Sequence, residues 1–132
     1  MEIATIKYLG SLRNECTHHS GNQLVTDAPE DNHGLGAAFS PTDLVATALG
    51  SCFITIVGIY CQQHAVNFAS CEAKIEKIMA SSPRKIAQIN IHFDFSGNNW
   101  DEKTLEKVIR AGKTCPVHLT LAGNVEINYT FN

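Results

Sequence analysis

Residues 40–64 read Ser-Pro-Thr-Asp-Leu-Val-Ala-Thr-Ala-Leu-Gly-Ser-Cys-Phe-Ile-Thr-Ile-Val-Gly-Ile-Tyr-Cys-Gln-Gln-His. The stretch opens with a helix start signal: Ser40 as N-cap, Pro41 at the first helical position, and Asp43 placed to reach back to the cap. Asp43 also puts negative charge at the positive end of the helix dipole. From Leu44 to Tyr60 no residue is charged, and apolar side chains fall on every side of the predicted helix. A helix apolar all round is buried in a protein core or in a membrane. The expectation is a central helix over 41–64, ~36 Å long at the usual rise per residue, with one thiol, Cys52, midway along it.

Outward from this helix the period changes. Residues 2–9 alternate, with Ala4, Ile6 and Tyr8 opposite Thr5 and Lys7, and Gly10-Ser11 turns the chain into a second strand at about 12–18. A short third strand is expected over 23–27. The segment 28–39, with Pro29, Gly34 and Gly36, reads as a loop long enough to be a lid, a binding loop or a mobile segment. Beyond the helix, 67–79 and 85–95 alternate as strands, the second most clearly, with Ala87, Ile89, Ile91, Phe93 and Phe95 on one face. An amphipathic helix over 101–111 follows, then a short helix opened by Cys115-Pro116 and ending near Leu121, then a last strand over 125–131. Hairpins, a helix, then more hairpins describe one α+β domain over 1–132, with antiparallel sheets packed on a long buried central helix.

Composition narrows the function classes. The chain is 44% hydrophobic and 17% charged, ordinary for a soluble globular protein, and its net charge of −3 argues against nucleic acid as a partner. The central helix is at the short end for a membrane span, is diluted by Gly50, Gly58, Ser51, Thr47 and Thr55, and lacks a flanking basic cluster, so no membrane association is expected. The N-terminus Met1-Glu2-Ile3-Ala4 lacks a signal-peptide pattern. Five cysteines without framework spacing fit a reducing compartment, so a cytoplasmic location is expected. No Cys-x-x-Cys or His-x-x-x-His occurs to suggest a structural metal, and there is no phosphate-binding glycine loop or dinucleotide fingerprint. Between Arg13 and Lys74 there is no Lys or Arg, so a cation beside Cys52 must come from a distant part of the chain or from another chain.

The five thiols are not equivalent. Cys16 and Cys71 fall at inward strand positions and read as small buried hydrophobes. Cys61, nine residues after Cys52, points to the opposite side of the helix and cannot pair with it. Cys115, just before Pro116, is expected at a helix N-terminus, where dipole and free N–H groups lower a thiol's pKa, with Lys113 and His118 nearby. Cys52, among apolar neighbours, is expected to have its pKa raised unless a remote cation approaches. If Cys52 and Cys115 meet in the fold, they make sense as an attacking and a resolving pair. A Cys52–His hydrolase pair is a further chemistry the residues allow, with no particular His singled out.

The run Phe39-Ser40-Pro41-Thr42-Asp43-Leu44-Val45-Ala46-Thr47-Ala48-Leu49-Gly50-Ser51-Cys52, with the later Cys115-Pro116-Val117-His118, resembles the OsmC/Ohr family. Tyr8-Leu9-Gly10-Ser11-Leu12-Arg13 and Asp27-Ala28-Pro29 resemble its OsmC-like branch, and the likeness spans nearly the whole chain. The resemblance implies an intertwined homodimer with active sites at the subunit interface. It also implies thiol-dependent reduction of organic hydroperoxides, with Cys52 peroxidatic, Cys115 resolving, a dithiol reductant and no cofactor. In the well-characterised branch an Arg from the N-terminal strands keeps the attacking sulfur ionised, and a Glu early in the central helix holds that Arg. Here Arg13 is the only upstream Arg, while Thr42 stands at the Glu position with Asp43 beside it. That departure keeps a second expectation open: a dimeric module of the same fold that binds a small apolar ligand without catalysis.

Overall fold

The computed structural model describes residues 1–132, which form two compact units, Met1–Val45 and Ala46–Asn132. In the first unit three strands, β1 (Ala4–Gly10), β2 (Arg13–His18) and β3 (Gln23–Asp27), pair antiparallel in that order. The β1–β2 turn runs through positive φ at Gly10, Ser11 and Leu12 (89°, 55° and 64°).

The long loop after β3 is tied down by Asp27. Its backbone N–H donates to the Phe39 carbonyl at 3.1 Å, and its Oδ2 accepts from the Ala37 N–H at 3.0 Å. Within the loop, Gly34 sits so close to Ala28 that a Cβ there would lie 1.8 Å from the Ala28 carbonyl oxygen. Only glycine allows that approach. The loop ends at the start of α1 (Pro41–Gln63), where the expected cap forms. The Asp43 N–H donates to Ser40 Oγ at 3.1 Å and the Ser40 N–H donates to Asp43 Oδ2 at 2.9 Å. The short Asp side chain therefore does close the reciprocal pair usually made by Glu.

α1 continues through the second unit, with β4 (Glu72–Ala80), β5 (Lys85–Asp94), α2 (Glu102–Gly112), α3 (Pro116–Leu121) and β6 (Glu126–Phe131). Leu49, Phe53, Val57 and Cys61, at helical spacing, are buried together with Ile89, Ile91, Phe93 and Phe95 of the β5 run. By length and composition α1 could cross a membrane, but this face of it belongs to a packed core. The sheet order is β4-β5-β6. β4 pairs antiparallel with β5 as expected, whereas β6 runs parallel to β5. The physical reason is the connection: α2 and α3 carry the chain back along the sheet before β6 begins, and only a crossover of that length permits a parallel neighbour. β4 starts at Glu72 rather than 67 because the preceding backbone bonds elsewhere. The Asn67 carbonyl accepts from Trp100 Nε1 at 2.8 Å, and Asn98 Oδ1 accepts from the Ala69 and Ser70 N–H groups at 2.7 and 3.1 Å.

At the centre of this unit Phe53 stacks on Phe93 with ring centroids 4.3 Å apart and meets Tyr129 edge-on at 5.0 Å. Gly112, the last residue of α2, lies against the same ring: a Cβ there would come within 2.3 Å of Phe53 Cε1. Replacing Gly112 by Ala is expected to destabilise the fold by about 1–3 kcal/mol through overpacking, read as a lower denaturant midpoint.

Cys16 and Cys71 are half-buried rather than fully inward, and Cys61 is fully buried. Burial raises the Cys61 pKa, and burial with the nearby Asp94 carboxylate pushes the Cys71 thiol from its ordinary 9.0 up to about 11. A thiol that ionises later in the folded than in the unfolded chain stabilises the fold fully below pH 9 and loses that contribution as pH rises toward 11. Denaturation midpoints measured from pH 8 to 11 are expected to fall, and Cys71→Ser is expected to make the decline shallower.

Candidate functional site

Cys115 is the N-cap of α3, in extended conformation, with Pro116 at the first helical position. Its Sγ accepts a hydrogen bond from the His118 N–H at 3.2 Å, as a capping side chain does. The turn after α2 delivers it there: the Cys115 N–H donates to the Gly112 carbonyl at 3.1 Å. The residue is fully buried.

Cys52 is half-buried on α1, immediately before Phe53. Its thiol lies near enough to that of Cys115 to act on the latter's ionisation. Two sulfurs sixty-three positions apart in sequence are therefore neighbours in the second unit, and all five cysteines are free thiols. This is the juxtaposition that sequence reading posed only as a condition.

The helix-start argument for Cys115 holds locally and loses overall. Backbone N–H groups of His118 and Val117 do favour the thiolate, but burial outweighs them. The neighbouring Cys52 thiol adds to burial, so the net effect raises the Cys115 pKa rather than lowering it. A thiol within a dry pair resists ionisation even when its own backbone favours it.

Tyr129 of β6 completes the setting, and sequence reading did not single it out. Its hydroxyl bonds to His118 Nδ1 at 2.7 Å. Burial, and then the charges of Cys115 and Cys52, raise its pKa. The available signal was a hydroxyl-bearing ring on the same strand face as Val125, Ile127 and Phe131, since a buried Tyr needs a partner for its O–H. His118, noted at first for its possible charge near Cys115, instead acts on the site through its backbone N–H and its bond to Tyr129. Lys113 is exposed at the end of α2.

The remaining candidates belong to the first unit. Arg13 Nη2 lies 3.7 Å from Asp27 Oδ2, in an ion pair whose carboxylate is buried. Asp43 takes part in the Ser40 capping box. No group of three or more His, Cys, Asp or Glu side chains gathers in a way that could hold a metal ion.

Residues 33–130 match the family model described as OsmC-like protein. Among curated proteins, none matches this chain. A proposed osmotic stress induced and detoxification response protein from Psychrobacter arcticus 273-4 is 36% identical, with a TM-score of 0.93 over 100% of this chain and 96% of its own. The organic hydroperoxide resistance protein OsmC of Legionella pneumophila is 17% identical, with a TM-score of 0.79 over 100% of this chain and 98% of its own. OhrB of Bacillus subtilis, an organic hydroperoxide resistance protein, is also 17% identical, with a TM-score of 0.71 over 98% of this chain and 97% of its own. At that identity these two share the fold. With its family model spanning most of its length, the chain belongs to the OsmC-like protein family.

Proposed function

We propose that the protein is a cytoplasmic thiol peroxidase that reduces organic hydroperoxides in defence against oxidative stress, working as an intertwined homodimer. The observation that carries this reading is the nearness of the Cys52 and Cys115 thiols, close enough for one to act on the ionisation of the other. Structural relatives named for organic hydroperoxide resistance support the same substrate class. Large apolar side chains left open to solvent, such as Ile6 at 70% and Tyr8 at 62% exposure, support a second copy as cover.

Cys52, the less buried of the two, attacks as thiolate on the terminal peroxide oxygen. An S–O bond forms, the O–O bond breaks, and the departing alkoxide takes a proton to become an alcohol. Cys115 then attacks the Cys52 sulfenic acid and water leaves as the disulfide forms. A dithiol donor restores both thiols by exchange, with no cofactor involved. The reading assigns to Arg13 the positive charge that keeps Cys52 ionised, and to Asp43 the carboxylate at the helix start where the family pattern has Glu.

One observation favours the non-catalytic alternative, a dimeric module that binds a small apolar ligand: Thr42 stands where that Glu is expected. Stoichiometric cumene hydroperoxide followed by mass spectrometry separates the two. The peroxidase reading expects a Cys52–Cys115 disulfide in the parent protein, a dimedone-trappable sulfenic acid without disulfide in Cys115→Ser, and no peroxide consumption in Cys52→Ser. Unchanged consumption in Cys52→Ser would refute it.

A further inference from the structure

Arg13 and Asp27 stand opposite each other in the register of β2 and β3, and their side chains meet as an ion pair, Nη2 lying 3.7 Å from Oδ2. Arg13 is the only Lys or Arg between Tyr8 and Ala73. Its side chain is 37% exposed whereas that of Asp27 is 1% exposed, so the negative end of the pair is fixed inside the unit and the positive end is open. The loop after β3 braces the carboxylate: the Asp27 N–H donates to the Phe39 carbonyl, and Oδ2 accepts from the Ala37 N–H at 3.0 Å. Oδ1, also buried, has no hydrogen-bond partner. An unpaired carboxylate oxygen is costly away from water. Arg13 carries its N–H donors in a planar fork, and 3.7 Å is an ion-pair separation with room to close to a hydrogen bond. The Asp43 carboxylate, in contrast, is engaged at the helix start, accepting from the Ser40 N–H at 2.9 Å.

We propose that Asp27 is the positioning residue for Arg13, the buried anion that holds the guanidinium in place for the attacking sulfur. In its effect on Cys52 this rests on the peroxidase reading above, which assigns to Arg13 the charge that keeps that thiol ionised. A long exposed side chain is spread over many rotamers, and its charge counts at a fixed point only when something immobile restrains it. Asp27 is immobile because strand pairing and the loop hold both its backbone and its side chain. A carboxylate beside a cation has two effects of opposite sign. Its charge offsets part of the cation's field, and its grip keeps the cation where it acts. Positioning is the larger effect if loss of the Asp27 charge leaves less Cys52 thiolate, and offsetting is the larger if that loss leaves more.

The test uses the full chain and compares the parent with Asp27→Asn, Arg13→Gln and the double variant. Asp27→Asn removes the charge and keeps an acceptor for the Ala37 N–H; Asp27→Ser does the same with a smaller side chain and replaces it if urea midpoints show that Asn unfolds the protein. Iodoacetamide alkylation of Cys52, followed across pH by mass spectrometry of its peptide, reads the thiolate. Each single variant is expected to slow alkylation at pH 7 by about tenfold, moving the profile to higher pH while its high-pH plateau stays unchanged. The double variant is expected to be no slower than either single one, because both remove the same placed charge. Alkylation in Asp27→Asn that is faster than in the parent, or within twofold of it, would overturn the positioning role. So would a double variant slowed by the product of the single effects, or a slowing equal at every pH, which marks altered access rather than altered ionisation. An unchanged profile in Arg13→Gln would overturn it together with the charge assigned to Arg13. If cumene hydroperoxide leaves Cys52 of the parent unoxidised, the peroxidase reading falls, while alkylation, which needs no peroxide, still decides the role of Asp27.

Discussion

The contact between Phe53 and Gly112 governs the geometry of the second unit. Phe53 stacks on Phe93, and the absence of a side chain at Gly112 lets the end of α2 press against the same ring. Cys52 precedes Phe53, and Cys115 follows Gly112 by one turn, joined to it through a backbone hydrogen bond. The ring and the glycine therefore pack between the chain segments that carry the two sulfurs. Close packing of this kind is unforgiving, because interiors have little spare volume to absorb an added methyl group.

That arrangement has an electrostatic consequence. Helix starts are favourable places for a thiolate, and Cys115 has the backbone donors that make them so. The same packing that brings it to Cys52 also removes it from water, and desolvation is the larger effect. The pair therefore divides by exposure: Cys52 is half-buried, while Cys115 is closed off from solvent. Such a division suits the proposed roles of attacker and resolver.

The first unit is organised around a buried carboxylate. Asp27 anchors the loop to Ala37 and faces Arg13 at 3.7 Å. Sequence reading took 28–39 as a loop that could be a lid or mobile, because spacing alone does not reveal which backbone groups are tied. Removing Asp27 would leave the Ala37 N–H and the Arg13 guanidinium without this partner, so the ion pair and the loop are coupled through one side chain.

Much of the fold was legible because its signals are local. The cap at Ser40 and Asp43, the uncharged run of α1 and the alternation from Ile89 to Phe95 each depend on residues a few positions apart. Cys52 and Cys115 stood out through their sequence settings and family resemblance. What sequence could not decide were pairings between distant segments. The parallel seat of β6, the late start of β4 against Asn98 and Trp100, the meeting of the two sulfurs and the partnership of Tyr129 with His118 all arise that way. Local hydrogen bonding and periodicity are properties of neighbouring residues, whereas burial, and with it the pKa of Cys115, belongs to the packed whole.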